Sequence, residues 1–317
     1  MPKPIFNSGF KDWNPGQLSD LTGKTYVITG ANSGIGFEAA RYLGKAGADI
    51  VMVCRSLPKA QEARKELAEQ IKGNVDLVQM DLSDMSSVRK AAEIVRERYS
   101  KIDGLIINAG IMQTPQTKTV DGFDLQMASN HLGHFLWAGL LLDLVEAAEG
   151  RIVVISSTVH KSKELDLDDF MSDRKYSPSD AYSQSKLSNL MFAFELDRRL
   201  KASGSKAICI ACHPGFSNTQ LLSTGPKGLF KLFYKLIGPL MAQPPQNGAI
   251  PTVLVAAGIE AKRGGYYGPQ RMSEARGPVS DATVADYALD QIKQARLWEK
   301  SEELVDFSWK IPGMRIA

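Results

Sequence analysis

The 317-residue chain has little of what marks several classes of protein. It has three cysteines, and its formal net charge is only +3, from 38 basic and 35 acidic residues. So small an imbalance gives no strong field to attract nucleic acid, and we expect no nucleic-acid partner. No apolar run reaches the length of a membrane span; FLWAGLLLDLV is interrupted by Asp143. With no signal-peptide pattern and so few cysteines, we predict a cytoplasmic protein without an integral membrane span.

Metal-ligand patterns are also scarce. Cys209, Cys212 and His213 lie in a strand-like run, KAICIACHPG. Residues three apart on a strand point to opposite faces, so we predict small buried side chains rather than a zinc or dithiol site. His131 and His134 are three apart on a predicted helix and have no acidic or thiolate partner nearby in sequence. No metal site is predicted.

What the chain does have is an alternation of short apolar strands and longer helical segments. The strand-like runs are KTYVITG, ADIVMVC, VDLVQMD, IDGLIINAG, RIVVISS and AICIACHPG; helices are predicted over residues 35–46, 58–72, 86–99, 127–147 and 180–202. Continuous apolar strands separated by helices specify a parallel sheet covered on both faces. We predict a single α/β domain over residues 21–317, a Rossmann-type doubly wound parallel sheet, preceded by an irregular extension over residues 1–20. Gly73 is expected to end the second helix, and SEELVDFSWK to form a short helix at the edge.

Ligands bind such sheets outside the carboxyl ends of the strands. Strand one is followed by a glycine-rich turn, TGANSGIG, that leads directly into a helix. Glycines let the backbone approach a pyrophosphate, and the helix N-terminus offers free N–H groups and a positive dipole. The strand, turn and helix together predict a dinucleotide site.

The residues after the next strands refine that site. Cys54 stands where NAD sites carry an acid, and Arg55 follows it, which predicts NADP(H) with Arg55 on the extra phosphate. Asp81 is placed to accept from the adenine amino group. The residues Asn108-Ala109-Gly110 form a further close-approach turn.

Chemistry is predicted at the ends of strand five and in the following helix. Ser157 ends the strand, and Tyr182 and Lys186 share a helix face because they are four residues apart. A phenol of pKa ~10 is a poor base at neutral pH, and a neighbouring ammonium favours the phenolate. Tyr182 is therefore the predicted proton-transfer group.

These motifs, with Pro214-Gly215, resemble the short-chain dehydrogenase/reductase family over nearly the whole chain from about Leu21. The resemblance implies catalytic roles for four residues: Tyr182 as acid and base, Lys186 at the nicotinamide ribose, Ser157 at the substrate oxygen and Asn130 in the proton relay. The predicted cofactor site comprises Gly30, Asn32, Ser33, Gly34, Ile35, Gly36, Arg55, Asp81, Leu82, Asn108, Ala109, Gly110, Tyr182, Lys186, Pro214, Gly215, Ser217 and Thr219.

The substrate class follows from a narrower resemblance. The segments CRS and YSQSKLSNLMF, and the long stretch between Ser157 and Tyr182, are most similar to the retinol dehydrogenase and protochlorophyllide reductase-like branch. This implies interconversion of a carbonyl and an alcohol on a bulky apolar substrate such as a retinoid, a long aldehyde or a steroid. Two alternatives stay open: reduction of a conjugated C=C bond, and a non-catalytic NADP(H)-binding redox sensor.

A further segment bears on substrate access. The resemblance implies a substrate lid within residues 219–248, where Lys227, Lys231 and Lys235 recur every four residues opposite an apolar face. A basic amphipathic helix is also compatible with peripheral membrane contact over residues 226–242. Family members are often dimers or tetramers, so a homo-oligomer is compatible with the resemblance.

Overall fold

Eight strands form the central sheet of the computed structural model, which describes residues 2–216 and 242–311. The strands are β1 (Thr25–Thr29), β2 (Asp49–Cys54), β3 (Val75–Gln79), β4 (Gly104–Ile107), β5 (Arg151–Ile155), β6 (Ile208–Cys212), β7 (Tyr266–Arg271) and β8 (Arg276–Asp281). Their order is β3-β2-β1-β4-β5-β6-β7-β8. All neighbours are parallel except β7 and β8. The order reverses between β1 and β4, which is where doubly wound sheets bind ligands.

Helices cover both faces of this sheet. Those of eight residues or more in the described part of the chain are α1 (Gly34–Lys45), α2 (Leu57–Ala68), α3 (Met85–Arg98), α4 (Gly133–Ala147), α5 (Pro178–Ala202), α6 (Pro245–Ala257) and α7 (Gln291–Val305). Helices α1, α2 and α6 share one apolar core, and α3, α4, α5 and α7 share the other. Adjacent strand residues alternate between them: Val27 lies in the second core and Ile28 in the first. The predicted Rossmann-type fold is confirmed.

The cysteine pattern follows the same alternation. Cys209 lies in the core beneath α5, whereas Cys212 lies in the core beneath α6. The two thiols therefore face opposite sides of β6, as the strand-like pattern predicts.

The end of the chain differs from the prediction in two ways. The antiparallel pair β7 and β8 was not predicted, because YYGPQR and RGPVSD carry prolines and charges that conceal their strand character. SEELV is the end of the 15-residue helix α7, which packs on α4 and α5 rather than on the sheet edge. Trp298 of α7 stacks there with Phe192 and contacts Trp309. No helix among the described residues is long and apolar enough to cross a membrane.

Residues 2–20 are mostly irregular and exposed, but they are attached to the rest of the chain at several points. Lys3–Pro4 pairs antiparallel with Thr283–Val284. Trp13 is only 2% exposed, and its indole N–H donates to Glu260 Oε2 at 2.9 Å. The extension is thereby held against the C-terminal part of the chain.

Gly73 has a different role from the one expected. Helix α2 ends at Ala68, and Gly73 lies beyond it on the way into β3. A Cβ atom at Gly73 would lie 1.9 Å from the carbonyl oxygen of Ala48, a backbone atom that cannot move aside. The glycine is needed for close approach of two chain segments.

We expect Gly73→Ala to lower the free energy of unfolding by about 3 kcal/mol or more, because the new methyl group overlaps fixed backbone. The measurement is urea denaturation. Gly204→Ala is the control, since Gly204 has a φ of +78° and no atom within 4 Å, so the substitution adds backbone strain without overlap. That strain is worth about 1 kcal/mol. Equal losses in the two variants would contradict the overlap.

Candidate active site

The glycine-rich turn between β1 and α1 is folded tightly against the end of β4. Gly30 has a φ of +67°, and a Cβ at Gly36 would lie 2.5 Å from both Gly30 O and Asn108 Nδ2. The side chain of Ser33, at the N-cap position of α1, makes no capping hydrogen bond. The first N–H groups of α1 are therefore not capped by Ser33 and suit an anion such as a pyrophosphate.

Thr29, at the end of β1, joins this turn to the loop after β4. Its hydroxyl oxygen accepts from the N–H groups of Asn108 (2.9 Å) and Ala109 (3.0 Å). The same oxygen lies 2.9 Å from His134 Nε2. Asn108 Nδ2 donates back to Thr29 O at 2.8 Å. One hydroxyl thus fixes the ends of β1 and β4, between which doubly wound sheets bind their ligands.

His134 extends the network to Asn130. Its Nδ1 lies 3.0 Å from the carbonyl oxygen of Asn130, which can only accept, so Nδ1 carries the hydrogen and Nε2 accepts from Thr29. Burial lowers the pKa of His134 to about 3, so the ring is neutral. His134 is therefore a neutral hydrogen-bonding group, with both ring nitrogens engaged.

Asn130 lies in a π-helical turn, Ala128–Leu132, that precedes α4. Its side-chain oxygen accepts from the Ile111 N–H at 2.8 Å, and its amide nitrogen donates to Ile111 O and to Ser185 Oγ, each at 2.9 Å. The predicted helix over residues 127–147 is present, but residues 128–132 are π-helical rather than α-helical. The wider turn places the Asn130 side chain between the loop after β4 and helix α5.

Tyr182 and Lys186 project together from α5, as the spacing predicts. Lys186 Nζ lies 5.9 Å from the centre of the Tyr182 ring and donates to Ile155 O, at the end of β5, at 3.2 Å. Lys186 is 4% exposed and Tyr182 8%. Burial lowers the pKa of Lys186 to about 8. A Cβ at Gly110 would lie 3.1 Å from Asn130 Oδ1, closer than an ordinary contact, and 3.5 Å from Lys186 Nζ.

Ser157 stands two residues beyond that carbonyl, at the start of a 3-10 turn, Thr158–Lys161. Its carbonyl oxygen accepts from His160 Nδ1 at 2.6 Å and from the His160 N–H at 3.2 Å. The hydroxyl of the preceding Ser156 donates to Lys186 O at 2.7 Å. The ends of β1, β4 and β5, the Asn130 turn and helix α5 therefore meet at one edge of the sheet.

The residues that follow β2 and β3 have a different character. The Arg55 side chain is exposed and makes no ion pair with a described residue. Burial raises the pKa of the Cys54 thiol to about 11, so no negative charge precedes Arg55. Asp81 Oδ1 accepts hydrogen bonds from Ser83 N and Oγ at 2.9 and 2.7 Å. The carbonyl oxygen of Leu82 lies close against Gly133. These features leave the Arg55 guanidinium available to a phosphate.

The Pro214-Gly215 segment follows β6. Gly215 has a φ of +67°, and a Cβ there would lie 2.3 Å from Ala275 O. Gln243 Nε2 donates to Pro214 O at 2.6 Å. Ser217, Thr219, the three lysines and the predicted lid as far as residue 241 lie outside the described residues. The last residues of the predicted lid, 245–248, form the first turn of α6.

Comparison with known proteins agrees with this geometry. The family model described as short chain dehydrogenase matches residues 24–227. The chain belongs to the short chain dehydrogenase family. It is 36% identical over 293 residues to human retinol dehydrogenase 13, covering 90% of this chain and 85% of that protein, and 35% identical over 294 residues to human retinol dehydrogenase 12, covering 92% and 89%.

A solved structure is similar over most of its length. An uncharacterized protein from Mycobacterium paratuberculosis superposes with a TM-score of 0.79 at 36% identity, covering 94% of this chain and 99% of that one. The family binds nicotinamide dinucleotides and interconverts alcohols and carbonyl compounds. The retinol dehydrogenase-like branch inferred from the sequence is confirmed.

Two participants in this short chain dehydrogenase site were missed from the sequence. Thr29 opens the glycine motif but was not assigned a role, and His134 was considered only as a metal ligand. Each residue has a local signal in the sequence. Thr29 ends a strand before a glycine turn, and His134 follows Asn130 by one helical turn.

We expect Thr29→Val to lower the free energy of unfolding by roughly 2–4 kcal/mol, because it leaves the N–H groups of Asn108 and Ala109 without an acceptor. It should also weaken dinucleotide binding, followed by NADPH fluorescence. Ser188→Ala is the matched control: that hydroxyl is equally buried but has no hydrogen-bond partner among the described residues. Equal stability of the two variants in urea would refute the role given to Thr29.

Proposed function

We propose that the protein is an NADP(H)-dependent oxidoreductase that interconverts an aldehyde or ketone and the corresponding alcohol on a bulky apolar substrate. The observation that carries the proposal is the buried Lys186 ammonium beside Tyr182, at the sheet edge where the glycine-rich turn also ends. A buried ammonium costs free energy, and buried titratable groups of this kind cluster at functional sites.

The chain's own residues account for the proton. In reduction, Tyr182 would donate its hydroxyl hydrogen to the carbonyl oxygen while the Ser157 hydroxyl donates a hydrogen bond to the same oxygen. The Lys186 charge would stabilise the phenolate left behind. When bound, the nicotinamide supplies or accepts the hydride. Asn130, whose side chain holds Ile111 and Ser185, would keep the relay beside Lys186 in place.

Preference for NADP(H) rests on the adenosine end. Arg55 is exposed beside a neutral thiol, with no carboxylate at the position that would bind a ribose hydroxyl. An arginine fork matches a phosphate in two hydrogen bonds, which favours the phosphorylated cofactor.

The substrate class rests on the relatives. Several relatives are named retinol dehydrogenases and are 35–36% identical over about nine-tenths of the chain. That name refers to a long apolar alcohol. The long segment between Ser157 and Tyr182 is anchored rather than free: Gln184 Nε2 donates to Glu164 O at 2.7 Å, and Tyr176 donates to Thr114 O at 2.8 Å.

Tyr182→Phe tests the chemistry. We expect kcat to fall roughly 10²–10⁴-fold with a panel of aldehydes, ketones and enones, because the proton donor is lost, while NADPH binding is retained. Tyr42→Phe, a phenol on α1 outside the site, should leave kcat unchanged. Turnover confined to the enones would move the assignment to C=C reduction. Tight NADPH binding without any turnover above the Tyr182→Phe level would favour the redox sensor.

Arg55→Ala tests the cofactor. The dissociation constant for NADPH should rise roughly 10–100-fold, because a charge-assisted hydrogen bond to the phosphate is lost, whereas that for NADH should hardly change. Both constants are measured by fluorescence titration. Arg296→Ala, an exposed arginine of α7, is the control that should alter neither. Equal weakening of the two cofactors by Arg55→Ala would exclude the phosphate contact.

A further inference from the structure

Behind the proposed active site, one buried carboxylate contacts three separate segments of the chain. Glu274, 8% exposed, places Oε2 2.6 Å from Lys161 Nζ and 3.4 Å from His213 Nε2. Its Oε1 accepts from the N–H and the hydroxyl of Thr283, at 2.8 and 2.7 Å. None of these groups has a part in the chemistry described above.

Lys161 links the carboxylate to Ser157. Ser157 is the N-cap of the 3-10 turn Thr158–Lys161, and Lys161 is the last residue of that turn. Within it, His160 Nδ1 donates to Ser157 O, and His160 Nε2 accepts from the Ala285 N–H at 3.3 Å. The turn is therefore fixed by Glu274 at its far end and by His160 at Ser157.

His213 lies between the carboxylate and the Pro214-Gly215 segment. The Gly215 N–H donates to His213 Nδ1 at 3.2 Å, so the ring hydrogen is on Nε2. Nε2 lies 3.4 Å from Glu274 Oε2 but makes no hydrogen bond with a described residue. Burial lowers the pKa of His213, which keeps the ring neutral. The ring also lies against Gly268, where a Cβ would be 2.0 Å from Nε2, so it cannot move toward β7.

The loop that presents Glu274 is strained. Met272, Ser273 and Glu274 have successive φ values of 52°, 55° and 66°, in the left-handed region that side chains avoid. Such a run persists only when its surroundings hold it. The next residue, Ala275, accepts from the Phe216 N–H at 2.7 Å, so the strained loop also contacts the segment beyond Gly215.

We propose that Glu274 is a positioning residue for the oxidoreductase reaction, fixing the Ser157 turn through Lys161, while its loop holds the Pro214-Gly215 segment through Ala275. One loop thereby holds the group that orients the substrate oxygen and the group proposed to contact the nicotinamide in a single geometry. Glu274 touches neither substrate nor cofactor. The inference rests on the proposed function, because it concerns the rate of that reaction.

The test is Glu274→Gln, which keeps the shape and the acceptor toward Thr283 but removes the charge. Folded sites are counted by NADPH titration, and kcat per site is measured with the best carbonyl compound of the panel. We expect kcat per site to fall roughly 10–100-fold, because reacting groups are displaced by a fraction of an ångström or more. With NADPH deuterated at the transferred hydrogen, the isotope effect on kcat should rise as hydride transfer becomes slower.

Lys161→Met is the second variant, and it should show the same loss. The double variant should be no slower than either single variant, since the two residues act as one unit. Glu195→Gln is the matched control: Glu195 is fully buried and paired with Arg198 and Arg199 on α5, away from the site. It should lower the melting temperature and leave kcat per site unchanged.

The outcomes separate this inference from the function on which it rests. If wild type turns over and both Glu274→Gln and Lys161→Met retain kcat per site within twofold, whatever their melting temperatures, the positioning role is refuted and Glu274 is structural. If Glu274→Gln does not fold, Lys161→Met alone decides by the same criterion. Absence of turnover in wild type overturns the proposed function itself, and this inference with it.

Discussion

A buried lysine charge is the constraint on which the site depends. Lys186 is 4% exposed, and burial lowers its pKa from 10.5 to about 8, so its charged form costs roughly 3 kcal/mol near neutral pH. The unfolded lysine binds its proton more tightly, so this cost is present below pH 8 and disappears as the pH rises toward 10.5. The Nζ–H donation to Ile155 O offsets part of it. The rest must come from the two apolar cores.

The parallel sheet brings the residues of the site together, because the parallel strands all end at the same edge. Thr29, the loop after β4 and Ile155 are brought together without long connections. A continuous hydrogen-bond network then runs from Thr29 through His134 to Asn130, and on to Ser185 beside the reactive pair. Each donor in it has an acceptor, so the site is preorganised by the chain itself. The π-helical turn Ala128–Leu132 carries the Asn130 side chain that joins this network to Ser185.

What could be predicted from the sequence was local. The glycine turn, the Tyr182–Lys186 spacing and the alternation of strands and helices depend on residues within one or two turns of each other, and the structure has them as expected. Contacts between distant segments could not be read in this way: Glu274 and Lys161 are 113 residues apart. The role of Gly73 was predicted wrongly because the requirement for glycine there is steric: a Cβ atom would overlap the carbonyl oxygen of Ala48, in a different segment of the chain. The hairpin β7–β8 was hidden because its prolines and left-handed non-glycine residues contradict local propensity.

The four histidines contribute hydrogen bonds rather than charge. All four are buried with lowered pKa values, about 4 for His131 and His160, about 3 for His134, and below the ordinary value for His213. They remain neutral through the physiological range, and three of them hold backbone atoms next to proposed functional residues with a fixed tautomer. Lys186, by contrast, has a pKa of about 8 and changes charge just above neutrality. Because the histidines do not titrate there, the hydrogen-bond geometry stays constant while the charge beside Tyr182 varies with pH.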